Sequence, residues 1–268
     1  MELQQIFDRL WKDYTEQNSS PKKVYDLFHS EGEQVLNDHI AFRTFNDPRV
    51  NIDELSRPFI KNGYVEKGQY NFDKKHLFAK HFEIPGEEKL PRVFISQLKL
   101  EVFSPFLQHT IKGVLENIPE NMLKSENLIF SGNLWGKPSY EIYEKLRQES
   151  EYAAWLYVFG FRANHFTVSV NSLKKYTSLE AVNQLLKDNG LRMNDSGGEI
   201  KGTPEQLLQQ SSIMADHTIV DFTEGQYKIP ACYYEFAMRY PDKNGKLFSG
   251  FIAKSADKIF ESTDYYNK

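Results

Sequence analysis

Two histidines, a glutamate and an arginine stand out among the 268 residues because the chain sets them in matched surroundings. His39 lies in Asn37-Asp38-His39-Ile40-Ala41-Phe42-Arg43-Thr44-Phe45, and His165 in Ala163-Asn164-His165-Phe166-Thr167-Val168-Ser169-Val170. Both stretches have the apolar, β-branched or aromatic content of a buried strand. Strand side chains alternate, so Ala41, Arg43 and Phe45 share the face of His39, and Thr167 and Ser169 that of His165. Glu235 stands between Tyr234 and Phe236, on one face with Tyr233, Ala237 and Arg239. A carboxylate buried there needs a cation, a metal or a proton. Two histidines and one carboxylate form the ligand set of a non-haem Fe(II) centre, with positions left open for substrate and oxygen. Arg43, roughly 13 Å along the strand from His39, suits a bidentate clamp on a carboxylate. Plainer readings stand beside these: hydrogen-bonded core histidines, a buried ion pair of Glu235 with Arg239 or Arg43, and an Arg43 that faces solvent.

The elements that would position these residues repeat. Apolar residues at helical spacing predict an amphipathic helix over Glu2 to Gln17. A second helix is expected from Lys22 to Glu31 after Ser19-Ser20-Pro21. Behind the His39 strand a helix near Ile52 to Lys61 stops at Asn62-Gly63; behind the His165 strand one near Leu179 to Lys187 stops at Asn189-Gly190. Ile229-Pro230-Ala231-Cys232-Tyr233-Tyr234-Glu235-Phe236 then lines up with Leu90-Pro91-Arg92-Val93-Phe94-Ile95-Ser96-Gln97. Strand, helix and several strands, twice over, read as an internal duplication. In this alignment Ser96 holds the place of Glu235, leaving three ligands rather than four.

The expected organisation is one α+β domain: N-terminal helices over 1–34, a first module over 35–103, a helical insertion over 104–160, a second module over 161–241, and a C-terminal helix and tail over 242–268. Within the insertion one charged helix is predicted from Tyr140 to Tyr157, and the last helix spans Ser255 to Glu261.

Composition narrows the function. A net charge of -4 and a pI near 6.0 give no sign of a nucleic-acid partner. Mean hydropathy is -0.59, and no apolar run reaches the length of a membrane span. Cys232 is the single cysteine, which excludes an internal disulfide and fits a reducing cytoplasm. His76 and His81, in a basic stretch, read as solvated; His217 reads as a strand residue with no counterpart in the first half; His29 and His109 fall on helices. Ser196-Gly197-Gly198 reads as a turn, since no phosphate-binding pattern surrounds it. No nucleophile elbow is present, and Cys232 has no neighbouring base.

At Asp38–Phe45, Asn164–Thr167, Ser196–Gly202, Cys232–Ala237 and Ser255–Glu261 the chain resembles the 2-oxoadipate dioxygenase/decarboxylase family. The resemblance implies a vicinal-oxygen-chelate-like fold, in which paired βαβββ modules form a cupped mixed sheet around a metal. It implies Fe(II) as cofactor, His39, His165 and Glu235 as its ligands, and His39, Arg43 and His165 as the residues around substrate. Arg43 would be the catalytic clamp on a substrate carboxylate. The implied reaction converts 2-oxoadipate and O₂ to 2-hydroxyglutarate and CO₂, in lysine catabolism, by chemistry like that of 4-hydroxyphenylpyruvate dioxygenase. Longer family members carry extra sequence before the final helix, where residues help bind substrate; Lys254 and Ser255 are the nearest counterparts here. The residues alone also admit another vicinal-oxygen-chelate enzyme, a ring-cleaving dioxygenase or glyoxalase-like isomerase, or a metal-free small-molecule binder.

Overall fold

The computed structural model describes residues 1–253, 258–259 and 261–263. Of the expected C-terminal helix only Lys258, Ile259 and Glu261 fall among them; Lys254, Ser255 and the tail lie outside the described residues.

The first half runs β1 (Asn37–Phe45), α3 (Ile52–Lys61), β2 (Val65–Phe72), β3 (Leu77–Glu83) and β4 (Arg92–Leu98). The second runs β5 (Ala163–Ser169), α8 (Leu179–Asp188), β6 (Lys201–Thr203), β7 (Leu208–Ser212) and β10 (Glu235–Arg239). Between β7 and β10 a separate hairpin, β8 (His217–Phe222) with β9 (Gly225–Pro230), leaves the main sheet. The eight remaining strands lie in the order β2-β3-β4-β1-β5-β10-β7-β6. In each half the first strand pairs parallel with the last, and β1 and β5 join the halves antiparallel. Two βαβββ modules therefore meet at the strands that carry the histidines.

Helices cover the outer face. In α1 (Leu3–Gln17), Ile6, Leu10 and Tyr14 recur one turn apart and are buried, and Trp11 and Tyr14 meet Phe166 of β5. The second helix, α2, spans Ser19–Ser30 and begins earlier than its serine-proline signal suggests. Asn18 separates it from α1 because its side chain is committed elsewhere, donating to the Tyr14 carbonyl and accepting from the Cys232 amide. Both modular helices are capped alike, Asn51 accepting from Glu54 N–H at 3.1 Å and Ser178 from Ala181 N–H at 3.2 Å. Both end at glycines with positive φ, Gly63 and Gly190.

The inner face is curled. Tyr70 of β2, His81 of β3, Phe94 of β4, His39 of β1 and Arg239 of β10 all reach the ring of Phe251 within 4.8–5.9 Å. In a flat sheet the outermost of these strands would stand about 24 Å apart, so strong curvature is needed to bring them to one ring.

Segment 104–160 includes α4 (Pro105–Glu116), α5 (Glu120–Leu123), α6 (Tyr140–Glu149) and α7 (Glu151–Phe159). The single helix predicted from Tyr140 is two helices. Ser150 is extended, at φ -155° and ψ 105°, and its hydroxyl caps α7 by accepting from Ala153 N–H. The break lets α7 turn inward, where every residue from Tyr152 to Phe159 is buried. It ends at Gly160 with φ +65°, where a Cβ would stand 2.0 Å from the Gly132 carbonyl oxygen. No helix among the described residues is long and apolar enough to cross a membrane.

Candidate metal centre

The pairing of β1 with β5 puts His165 opposite Ala41 and Thr167 opposite His39, so the two histidines stand one inward position apart. The pairing of β10 with β5 puts Glu235 opposite Thr167. All three side chains are buried, and one ligand atom from each lies within 4.8 Å of the others. The nearest approaches are His165 Nε2 to Glu235 Oε2 at 3.2 Å and His39 Nε2 to Glu235 Oε1 at 3.7 Å. The imidazole rings are 5.6 Å apart and nearly perpendicular.

Each histidine is oriented by the residue before it. Asp38 Oδ1 lies 2.9 Å from His39 Nδ1, and Asn164 Oδ1 lies 3.1 Å from His165 Nδ1. An oxygen acceptor there holds the proton on Nδ1 and leaves the Nε2 lone pair directed inward. The Gln210 side-chain amide donates to Glu235 Oε1, and Thr167 Oγ1 lies 3.0 Å from His39 Nε2. Asp38 is itself held by Arg239, whose Nε and Nη2 donate to the two carboxylate oxygens at 2.7 and 2.8 Å. The remaining arginine nitrogen donates to the carbonyls of Phe248 and Gly250. Arg239 therefore pairs with Asp38, and Arg43 lies 3.9 Å from Glu151. The ion pair of Glu235 with either arginine is thus not formed; among the described residues its titratable partners within 4 Å are the two histidines.

Burial decides the electrostatics. It pushes the Glu235 carboxyl up to about 8, although Gln210 and Arg239 pull it down. It lowers His39, and lowers His165 well below the usual imidazole range with help from the charges of His39 and Arg43. Burial would also raise Asp38, but Arg239, the His39 hydrogen bond and Arg92 together hold it well below the carboxylate range. The cluster thus presents two neutral imidazoles and a carboxyl group whose ionised form lacks a compensating positive charge. A divalent cation supplies what this donor set lacks, so the residues fit a metal.

Arg43 is 2% exposed and lies on the same strand, its guanidinium carbon 5.0 and 5.2 Å from the rings of Tyr152 and Trp155. It also lines a cleft of about 230 Å³ with Lys74, Lys75 and Arg147. Ser96 needs correction as the partner position of Glu235. It lies opposite Arg43, while the residue opposite Ala41, as Glu235 is opposite Thr167, is Phe94. The sequence alignment slips by two because Ile229 and Pro230 end the inserted hairpin instead of leading into β10. Ser96 instead accepts through its carbonyl from the Tyr152 hydroxyl at 2.6 Å. Phenylalanine offers no metal-binding atom, so the candidate ligands at this place are His39, His165 and Glu235.

His81 also departs from expectation. It is 2% exposed, its Nδ1 2.8 Å from the Tyr70 hydroxyl, because alternation along β3 turns Leu77, Ala79 and His81 inward between the half-buried Phe78 and Lys80. Sequence reasoning assigned no role to Asp38, Asn164 and Gln210, placed Tyr233 only on the face of Glu235, and weighed Arg239 only as a partner of Glu235. The first two had a readable signal: each strand histidine follows a residue with a side-chain oxygen acceptor.

The model of the 2-oxoadipate dioxygenase/decarboxylase family matches residues 3–248. The chain is 36% identical over 275 residues to the Arabidopsis thaliana protein named 2-oxoadipate dioxygenase/decarboxylase, chloroplastic, covering 93% of this chain and 74% of that one. Among solved structures it is similar to the hydroxyglutarate synthase from Oryza sativa, described in complex with 2-oxoadipate, at TM-score 0.91 and 34% identity over 97% of this chain and 91% of that one. A Shewanella frigidimarina protein with a provisional hydrolase name matches at TM-score 0.89 and 47% identity, over 94% and 98% of the two chains. A glyoxalase-superfamily protein from Ralstonia eutropha shares the fold alone, at TM-score 0.74 and 20% identity over 90% and 83%. By the family match and the identity over most of its length, the chain belongs to the 2-oxoadipate dioxygenase/decarboxylase family.

Proposed function

We propose that this chain is an Fe(II)-dependent dioxygenase/decarboxylase that converts 2-oxoadipate and O₂ to 2-hydroxyglutarate and CO₂. The convergence of His39, His165 and Glu235 within 4.8 Å carries the reading, supported by family membership and by the 2-oxoadipate named for the Oryza protein. These three side chains hold the iron, which supplies Lewis-acid anchoring of the 2-oxo acid and activation of O₂. Asp38 and Asn164 keep both Nε2 atoms available to it. Arg43 binds the distal carboxylate, fixing the chain along β1 so that the carbon losing its carboxylate stays at the metal centre. Phe251, packed against His39, and Tyr152 and Trp155, packed beside Arg43, surround the two ends of the site with aromatic rings that would exclude water. We place the reaction in lysine breakdown in the cytoplasm; the Arabidopsis relative is named as chloroplastic, and cell fractionation decides the compartment.

The test is an assay of protein loaded anaerobically with Fe(II), given a panel of 2-oxo acids and then O₂, with O₂ uptake and CO₂ release followed together. One CO₂ for each O₂, with 2-oxoadipate the best substrate, is expected. No turnover of any 2-oxo acid at full iron occupancy would refute the reading. Turnover of a catechol or a hemithioacetal in its place would make the chain a ring-cleaving or glyoxalase-like enzyme.

A further inference from the structure

We propose that the Tyr233 hydroxyl is a substrate-binding group, donating a hydrogen bond to the distal carboxylate of the bound 2-oxo dicarboxylate beside Arg43; the inference rests on the function proposed above. Tyr233 comes two residues before Glu235, and its ring stacks on that of His165, centroids 4.7 Å apart and planes at 27°. Its backbone carbonyl is held by the hydroxyl of Tyr14, so both ends of the residue are fixed. The residue is 0% exposed, yet its hydroxyl has no hydrogen-bond partner among the described residues. An unpartnered buried hydroxyl costs about 1–3 kcal/mol, a cost that a bound acceptor removes.

The surroundings identify that acceptor. The ring stacks on the candidate ligand His165, and Glu235, Arg43 and Glu151 are among the charged groups whose fields reach the phenol. A ligand anchored at the metal and reaching Arg43 passes this point, and the oxygens it brings to Arg43 are those of its far carboxylate. Glu151, 3.9 Å from Arg43, already places one anionic group beside that guanidinium. The neighbouring Tyr234 provides a contrast. Its hydroxyl is equally unpartnered, but its ring packs against Trp11, Tyr14 and Phe236 under the helices of the outer face. The same atom can be deleted there without touching the site.

Anaerobic calorimetric titration of Fe(II)-loaded protein tests this, using 2-oxoadipate and 2-oxohexanoate, which has the same carbon chain without the distal carboxylate. Tyr233→Phe is expected to weaken 2-oxoadipate about tenfold to hundredfold and 2-oxohexanoate less than about threefold. Tyr234→Phe should change neither. Melts without ligand should leave Tyr233→Phe at or above the wild-type Tm, because the lost hydroxyl had no partner. Undiminished 2-oxoadipate affinity in Tyr233→Phe would overturn the inference alone, as would equal losses for both acids or a Tm several degrees lower. A wild-type protein that binds neither acid would overturn the proposed function, and this inference with it.

Discussion

The two halves of the sheet share a topology and differ in what they place at the same positions. Each begins with a strand histidine backed at Nδ1 by the preceding residue, but that residue is the charged Asp38 in one half and the neutral Asn164 in the other. Opposite the residue two beyond the histidine stands Phe94 in the first half and Glu235 in the second. Four residues beyond the histidine stand Arg43 and Ser169. On the proposed reading the second half supplies the anionic ligand, while the first supplies the cation for substrate and, in Phe94, an aromatic ring at the position matching Glu235. A symmetric duplicate would offer four candidate ligands; the unlike pair offers three, a set that would leave room at a bound metal for substrate.

The largest effect should come from removing what only the second half has. Glu235→Ala is expected to lower Fe(II) affinity at least about hundredfold and abolish turnover with the fold intact, read by metal content and circular dichroism. Phe94→Ala, at the matching position, should do the reverse: iron retained, and about 3–5 kcal/mol lost in denaturant unfolding. Next comes Arg43→Ala, which should keep iron but weaken 2-oxoadipate about hundredfold in anaerobic titration, while Ser169→Ala changes nothing.

Making the first half resemble the second is the sharper experiment. Asp38→Asn leaves an acceptor for His39 but takes the countercharge from Arg239, which is buried and grips both Asp38 oxygens. Loss of about 3 kcal/mol of stability is expected with a roughly tenfold or greater fall in iron affinity. Asn164→Ala should lower iron affinity about tenfold with little change in Tm.

The smallest effect concerns the hairpin β8–β9, which the first half lacks. Glu224 at its tip accepts from the Ser139 hydroxyl at 2.5 Å and from the Tyr140 amide at 2.7 Å, joining the hairpin to the start of α6. The Ser139 hydrogen bond, then the Tyr140 amide, hold its carboxyl down at about 2, below an ordinary 4.5. Because the folded value is the lower one, the contribution is complete above about pH 4.5 and fades as pH falls toward 2. Glu224→Gln should flatten the fall of Tm over that window and lower Tm slightly near neutrality, where the ionised carboxylate contributes in full; an unaltered slope would contradict the assignment.

The features legible in the chain were those with a local period or a repeated order. Alternation about His39 and His165 and the matching Asn-Gly helix stops carried the duplication, and the histidine pair and Glu235 followed from it. Register across strands was not legible. The hairpin before β10 shifts the apparent match by two, which is why Ser96 appeared where Phe94 belongs. His81 was hidden by neighbouring lysines although its own strand alternates, and the break at Ser150 was masked by helix-forming residues on either side. The Arg239–Asp38 pair joins residues 201 positions apart, and no local pattern announces such a contact. Tyr233 is a distinct case: its aromatic character signals only a core residue until the hydroxyl is found without a partner.

The central claim, that the unlike halves close on one three-ligand iron site, is tested most directly by the anomalous signal at the iron edge from crystals grown with Fe(II) under anaerobic conditions. The account predicts one strong peak bonded to His39 Nε2, His165 Nε2 and a Glu235 carboxylate oxygen. A peak elsewhere, or no peak at the three residues under saturating Fe(II), would contradict it.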